Sequence, residues 1–265
     1  MDQKLNKHYF VDTHAHLDFD SFDKDRDVVV ENARLANLGA IINIGINLET
    51  SKKSIELAEK FDMVYASVGV HPHDADEMRD EWWPEIVRLY QHPRVVAIGE
   101  IGLDYYRDYS PHDVQKRILL RQLDLAVEHS FPVIIHTRSA WPDILPIVSS
   151  ENYRNKLRGV FHCFSGSKEQ TRSVLDLGYH ISFTGVVTFK NASPLTIAAD
   201  YVPMDRLMLE TDCPFMAPAP YRGKRCEPAY VPAIAQKIAE AKNISVAELA
   251  RQTTANAENL FGLTL

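Results

Sequence analysis

The chain has 265 residues, 45% of them hydrophobic and 25% charged, with 29 basic against 36 acidic side chains and a formal net charge of -7 at pH 7. That is enough chain to bury one substantial core, and barrels of this length commonly form a single domain, here expected over residues 1–265. The acidic balance excludes a passive protein with a wide nucleic-acid footprint, and leaves open a nuclease that holds its substrate through local features or metal ions. No run approaches the roughly 18 apolar residues of a membrane span. Met1-Asp2-Gln3-Lys4 lacks the apolar stretch of a signal peptide, so a cytoplasmic protein without membrane contact is expected. Cys163, Cys213 and Cys226 include no Cys-x-x-Cys pair, which argues against a disulfide framework and a cysteine zinc site.

In chain order, Phe10-Val11-Asp12-Thr13-His14-Ala15-His16-Leu17-Asp18 reads as a strand that runs into a polar end. Alternation puts Asp12, His14 and His16 on one face. An amphipathic helix is expected from Asp23 to Leu38, with Gly39 at its C-cap, before the apolar strand Ala40 to Ile46. The pattern repeats: a helix over Leu48 to Phe61 and a strand from Val64 to Val70, then a helix over Asp80 to Tyr90 and a strand from Val95 to Asp104. A long helix, His112 to His129, precedes Val133 to His136, and a helix over Trp141 to Ser150 precedes Gly159 to Ser165. Helices over Lys168 to Leu177 and Pro194 to Asp200 precede the strands His180 to Gly185 and Leu207 to Asp212. Ala229 to Phe261 is expected to be helical. Eight near-continuous apolar strands alternating with helices predict a parallel sheet covered by helices, closed as a single (β/α)8 TIM barrel. The stretch from Pro214 to Pro228 is rich in Pro and Gly and reads as a functional loop after the last strand.

Polar residues collect at the C-terminal ends of these strands: His14 and His16 on the first, His71 on the third, Glu100 on the fourth, His136 on the fifth, His162 on the sixth and Asp212 on the eighth. Those ends meet at one mouth of a parallel barrel, where active sites are built. A buried Glu100 is costly without a partner, and a cation accounts for it. Six candidate ligands exceed the needs of one tetrahedral ion and predict a two-metal centre, with His14, His16 and Asp212 on one ion, His136 and His162 on the other, and Glu100 bridging. A bridging carboxylate suits cations roughly 3.5 to 4 Å apart, and mixed imidazole and carboxylate donors suit divalent ions such as Mg, Mn or Zn.

Six spaced stretches carry a family likeness: Thr13-His14-Ala15-His16-Leu17-Asp18, Gly69-Val70-His71-Pro72, Gly99-Glu100-Ile101-Gly102-Leu103-Asp104-Tyr105, Pro132-Val133-Ile134-Ile135-His136, Phe161-His162-Cys163-Phe164-Ser165-Gly166 and Leu209-Glu210-Thr211-Asp212-Cys213-Pro214. In order and spacing the chain resembles the TatD family of metal-dependent deoxyribonucleases, within the amidohydrolase-like superfamily. The resemblance runs from about Val11 to Gly262. It implies a TIM barrel, two divalent ions and hydrolysis of phosphodiester bonds in DNA, typically 3′ to 5′ on single strands, with RNA as an alternative polymer.

Asp212 is the expected general base, with Glu210 either its partner or an unrelated interior charge. His71 is assigned to the scissile phosphate or to protonating the leaving group, against the alternative of a hydrogen bond that orients a ligand. His73, Arg138, Ser165 and Arg222 are candidate substrate contacts, with Tyr221 as a stacking ring; Lys224 and Arg225 read as ordinary surface charge. Single-stranded DNA is the expected partner, and a monomer the expected state. Two other readings are an amidohydrolase acting on a C-N or ester bond, such as an aminoacyl-tRNA ester, and a non-enzymatic scaffold with a closed metal shell.

Overall fold

A computed structural model describes residues 9–265, so the reading of Met1 to Lys4 lies outside the described residues. The strands β1 (Phe10–Ala15), β2 (Leu38–Ile44), β3 (Val64–Val68), β4 (Val95–Asp104), β5 (Val133–Arg138), β6 (Gly159–Phe161), β7 (His180–Phe183) and β8 (Leu207–Leu209) form one parallel sheet in chain order. Its first and last strands are joined at the top. Ala15 bridges to Cys213, Thr13 Oγ1 donates to Leu209 O at 3.0 Å, and Asp212 N donates to His14 O at 2.9 Å. The chain is a (β/α)8 TIM barrel.

The helices are α1 (Arg26–Leu35), α2 (Leu48–Lys60), α3 (Trp83–Tyr90), α4 (His112–His129), α5 (Trp141–Ser149), α6 (Lys168–Asp176), α7 (Ser193–Tyr201), α8 (Val231–Lys242) and α9 (Val246–Phe261). Their starts follow local chemistry. Asn47 accepts from Thr50 N at the head of α2, Ser167 from Gln170 N at α6 and Ser245 from Glu248 N at α9, each satisfying an amide that the helix leaves unpaired. One alternate set of strand residues, including Val11, Ala40, Ile42, Ile134, Val160 and Met208, packs with Ala257, Leu260 and Phe261 of α9. The other set meets the helical layer. Among the described residues no helix is long and apolar enough to cross a membrane.

Several expected boundaries differ: β3, β6, β7 and β8 end earlier than expected, at Val68, Phe161, Phe183 and Leu209, and α3 starts at Trp83 rather than Asp80. Two further differences have a local cause. The first helix was expected from Asp23 to Leu38 with Gly39 as its cap, whereas α1 ends at Leu35 and Leu38 opens β2. Asn37, at φ 64, makes the left-handed turn, a conformation that Asn tolerates better than most residues. The helical stretch Ala229 to Phe261 splits into α8 and α9 at Asn243, at φ 53, for the same reason.

Candidate metal centre

The candidate side chains come from the strands or from residues just beyond them, and Glu100, expected to end the fourth strand, stands inside it, four residues before β4 ends at Asp104. His14 lies in β1, Glu100 in β4 and His136 in β5; His16 and His162 follow β1 and β6 directly, and His71 and Asp212 follow β3 and β8 by three residues. His162 N extends the β5/β6 ladder by donating to Ile135 O at 3.0 Å, and Glu100 N leaves its own ladder to donate to Gly45 O, just past β2, at 3.0 Å. The β4/β5 register shifts between Ile98 and Ile101, at the Gly99-Glu100 pair. Gly102 faces His136 across that register at φ +151, and a Cβ there would collide with the His136 carbonyl oxygen. Only glycine lets the two strands approach this closely.

The side chains converge. Nε2 of His14 lies 3.3 Å from Nε2 of His16, and Asp212 Oδ1 is 3.8 Å from the first and 3.4 Å from the second. Glu100 reaches both sides of the group. Its Oε2 is 3.3 Å from His14 Nε2, whereas its Oε1 is 2.7 Å from His162 Nε2, 2.9 Å from His136 Nδ1 and 3.3 Å from His71 Nε2. Three sets of donor atoms lie within 4.8 Å of one another: His14, His16 and Asp212; His14, Glu100 and His162; and His71, Glu100 and His136.

Burial and charge act against each other here. Burial raises Glu100, but His162, His71 and His14 outweigh it and hold the carboxyl well below its ordinary range. Burial likewise raises Asp212, and His16 and His14 bring it below its ordinary value. His14 is pushed down by burial and by His162, and His71 falls to about 4, burial being the main cause. Against their own burial, His162 is raised well up by Glu100 and His136 is raised by Asp104 and Glu100.

This donor set fits divalent cations. Imidazole nitrogens face one another at 3.3 Å, twice, and each pair shares a carboxylate oxygen. Buried lone pairs gathered in this way are costly unless a proton or a cation lies between them. Imidazole mixed with carboxylate is the donor chemistry of zinc, manganese and related ions.

The comparisons agree with this geometry. The sequence profile of the family described as TatD related DNase matches residues 11–262. The chain belongs to the TatD-related DNase family. It is 43% identical over 250 residues to a Bacillus subtilis (strain 168) protein named as an uncharacterized metal-dependent hydrolase, YabD, covering 94% of this chain and 98% of that one. It is 36% identical over 260 residues to the 3'-5' ssDNA/RNA exonuclease TatD of Citrobacter rodentium, covering 96% and 98%. The crystal structure of YjjV, a TatD homolog from Escherichia coli K12, superposes with a TM-score of 0.90 at 29% identity, covering 98% of this chain and 100% of that one.

The remaining candidates of this TatD-related chain are placed unequally. His71 Nδ1 accepts from His73 N at 3.1 Å, so a neutral His71 carries its proton on Nε2 and presents it to Glu100. His73 Nε2 lies 2.9 Å from Asp104 Oδ2. His73, Arg138 and Ser165 line the same pocket of about 560 Å³ as His16, Glu100, His136, His162 and Asp212. Arg222 does not line it: its guanidinium lies 3.8 Å from the centre of the Phe189 ring. Tyr221 is stacked on Tyr230 at 3.8 Å, which occupies one face of its ring. Arg225 is paired with Asp25 and Glu227.

Sequence reasoning missed two carboxylates. Asp104 Oδ2 also lies 3.1 Å from His136 Nε2, while its Oδ1 accepts from Tyr106 N and Arg107 N at 2.9 Å each. Its position at the end of β4, four residues after Glu100, was the available signal. Asp12, fully buried, accepts from Thr211 N at 2.9 Å, Thr211 Oγ1 at 2.5 Å and His14 N at 3.3 Å. Glu210 accepts from Cys163 N at 2.5 Å and Ser182 Oγ at 2.6 Å, and lies 3.6 Å from His162 Nδ1.

Proposed function

We propose that this chain is a divalent-metal-dependent phosphodiester hydrolase acting as a 3′ to 5′ exonuclease on single-stranded DNA or RNA through a two-metal centre. It is a metal-dependent hydrolase of the TatD-related family; the substrate, the polarity and the number of ions are the proposal. One observation carries the two-ion count. Glu100 turns Oε2 to His14 and Oε1 to His136 and His162, as a carboxylate shared between two cations would. His14, His16 and Asp212 would hold one ion and His136 and His162 the other. Such ions supply Lewis acidity that lowers the pKa of water and neutralises charge on a phosphoryl group.

The chain's own groups do the rest. Asp212 accepts the proton of the attacking water, its carboxyl kept ionised by His16 and His14 despite burial. His71 donates its Nε2 hydrogen to Glu100 and fixes the orientation of that carboxylate. Arg138 and Arg107, both on the pocket wall, offer cations to a phosphate in a protein whose overall charge is negative. Ser165 and His73 offer polar contacts to the same group. The enzyme is read as a cytoplasmic monomer.

The test uses single-stranded oligonucleotides labelled at the 3′ or the 5′ end. Protein stripped of metal is restored separately with magnesium, manganese or zinc. Stepwise loss of nucleotides from the 3′ end, only with added metal and absent in Glu100→Ala, is expected. Metal-loaded protein that leaves every oligonucleotide intact transfers the assignment to hydrolysis of an amide or carboxylic ester.

A further inference from the structure

Nine large hydrophobic side chains are strongly exposed among the described residues: Val28, Leu35, Tyr106, Tyr109, Leu120, Ile197, Tyr201, Phe215 and Leu265. Of these, Phe215 alone lines the pocket of the candidate metal centre. It is 50% exposed and stands three residues after Asp212, with its amide donating to Asp212 O at 3.0 Å. The backbone that carries a candidate ligand therefore also carries the ring.

Beneath it lies a second ring placed in the same way. Phe19 stands three residues after His16, tilted against the His16 imidazole at 4.9 Å, and the edge of one phenyl meets the face of the other at 5.9 Å and 81°. Phe19, half-buried and itself on the pocket wall, is held between His16 and Phe215, and Phe215 rests against it while half of its surface stays open to solvent. Edge-to-face packing of this kind holds a ring in one orientation. The cations of the pocket, Arg107 and Arg138, come from the ends of β4 and β5, whereas Phe215 follows β8.

We propose that Phe215 is the stacking platform for the nucleobase of the nucleotide being removed, buttressed by Phe19. This rests on the nuclease reading above and adds the residue that selects a base-bearing terminus. An aromatic ring recognises any unpaired base through its π-face, whatever the sequence, and such a contact suits an enzyme that must accept every nucleotide in turn. It also disfavours a paired end, whose base is held in the duplex stack. Phe215 touches the leaving nucleotide's base and none of the reacting atoms, so it sets substrate choice rather than the chemistry.

The experiment compares two single-stranded oligonucleotides that differ only at the 3′-terminal residue, one carrying a base and one a tetrahydrofuran abasic analogue. Stacking of this type is worth roughly 5- to 150-fold per base, so wild-type protein is expected to prefer the base-bearing end by at least about 5-fold in kcat/KM. In Phe215→Ala that ratio collapses towards 1, and in Phe215→Trp it is restored. A phosphorothioate-linked oligonucleotide ending in 2-aminopurine supplies a readout without turnover: its fluorescence is quenched on binding wild-type protein and not on binding Phe215→Ala. A wild-type ratio near 1, a ratio unchanged in Phe215→Ala, or quenching that persists in that variant each overturns the assignment. If no oligonucleotide is cleaved but quenching depends on Phe215, the platform stands and the hydrolytic reading fails. If neither cleavage nor quenching occurs, both fall.

Discussion

Oδ2 of Asp104 lies 3.1 Å from Nε2 of His136, on the side of the imidazole opposite Nδ1, which faces Glu100 at 2.9 Å. If His136 holds a cation through Nδ1, as proposed, its Nε2 hydrogen would donate to Asp104, which would fix the tautomer and make the imidazole more basic. The same oxygen receives His73 at 2.9 Å, so Asp104 ties two histidines to the end of β4. Asp104→Ala is expected to weaken divalent-ion binding about 10- to 100-fold, the usual cost of losing an orienting partner. Competition against a chromogenic chelator measures it, and wild-type affinity in the variant would remove Asp104 from this role.

Asp212 has φ 54, a left-handed conformation that Asn adopts at little cost, so Asp212→Asn keeps the backbone while removing the charge. Turnover is expected to fall about 10²- to 10⁴-fold, the range lost with a general base, and Glu100→Ala is expected to lose more because Glu100 is the carboxylate whose two oxygens face different groups of donors. The circular dichroism spectra of both variants should match the wild type. Turnover at the wild-type rate in either one sinks the mechanism.

The strands were legible as short apolar runs between helices, and six of them lead to a polar residue that lies at the mouth of a parallel barrel. His136 and His162 could be read in this way without any knowledge of their neighbours. Asp12 and Asp104 could not, because what distinguishes them is a partner far along the chain: Thr211 is 199 residues from Asp12, and His73 is 31 from Asp104. How the histidines divide between the two oxygens of Glu100 depends on the irregularity of β4 against β5, which no side-chain period records. Arg222 and Tyr221 sit in a loop without periodicity, where residue type alone does not reveal that Phe189 and Tyr230 take up their rings and charge.

Asp12 joins β1 to the segment that carries Asp212, and it does so entirely by hydrogen bonds. Burial pushes its carboxyl up to about 7, against the opposing pull of Thr211 and His14. Asp12→Ala leaves the Thr211 amide, the Thr211 hydroxyl and the His14 amide without an acceptor, at a cost on the order of 3 kcal/mol or more. Asp12→Asn keeps one oxygen for the amides and can donate to the hydroxyl, so it should cost distinctly less. Urea denaturation of the wild type and the two variants tests this, and an Asp12→Ala variant as stable as the wild type would show that the carboxylate's bonds contribute nothing.

His180 opens β7 away from the metal pocket, and its Nδ1 is buried without a hydrogen-bond partner. Burial, aided by Arg206, lowers it to about 4 from an ordinary value of 6.5. The folded protein therefore binds fewer protons at this site than the unfolded chain. Its contribution to stability is complete above pH 6.5 and is lost as the pH falls towards 4. A shift of this size corresponds to about 3 kcal/mol between those limits. His180→Gln removes the titration, so its stability should fall less over the same range. The comparison is made by urea denaturation of chelator-treated wild-type and variant protein across that pH window, so that protonation of the candidate metal ligands affects both alike. Parallel profiles would show that the neutral imidazole is not what the fold requires at this position.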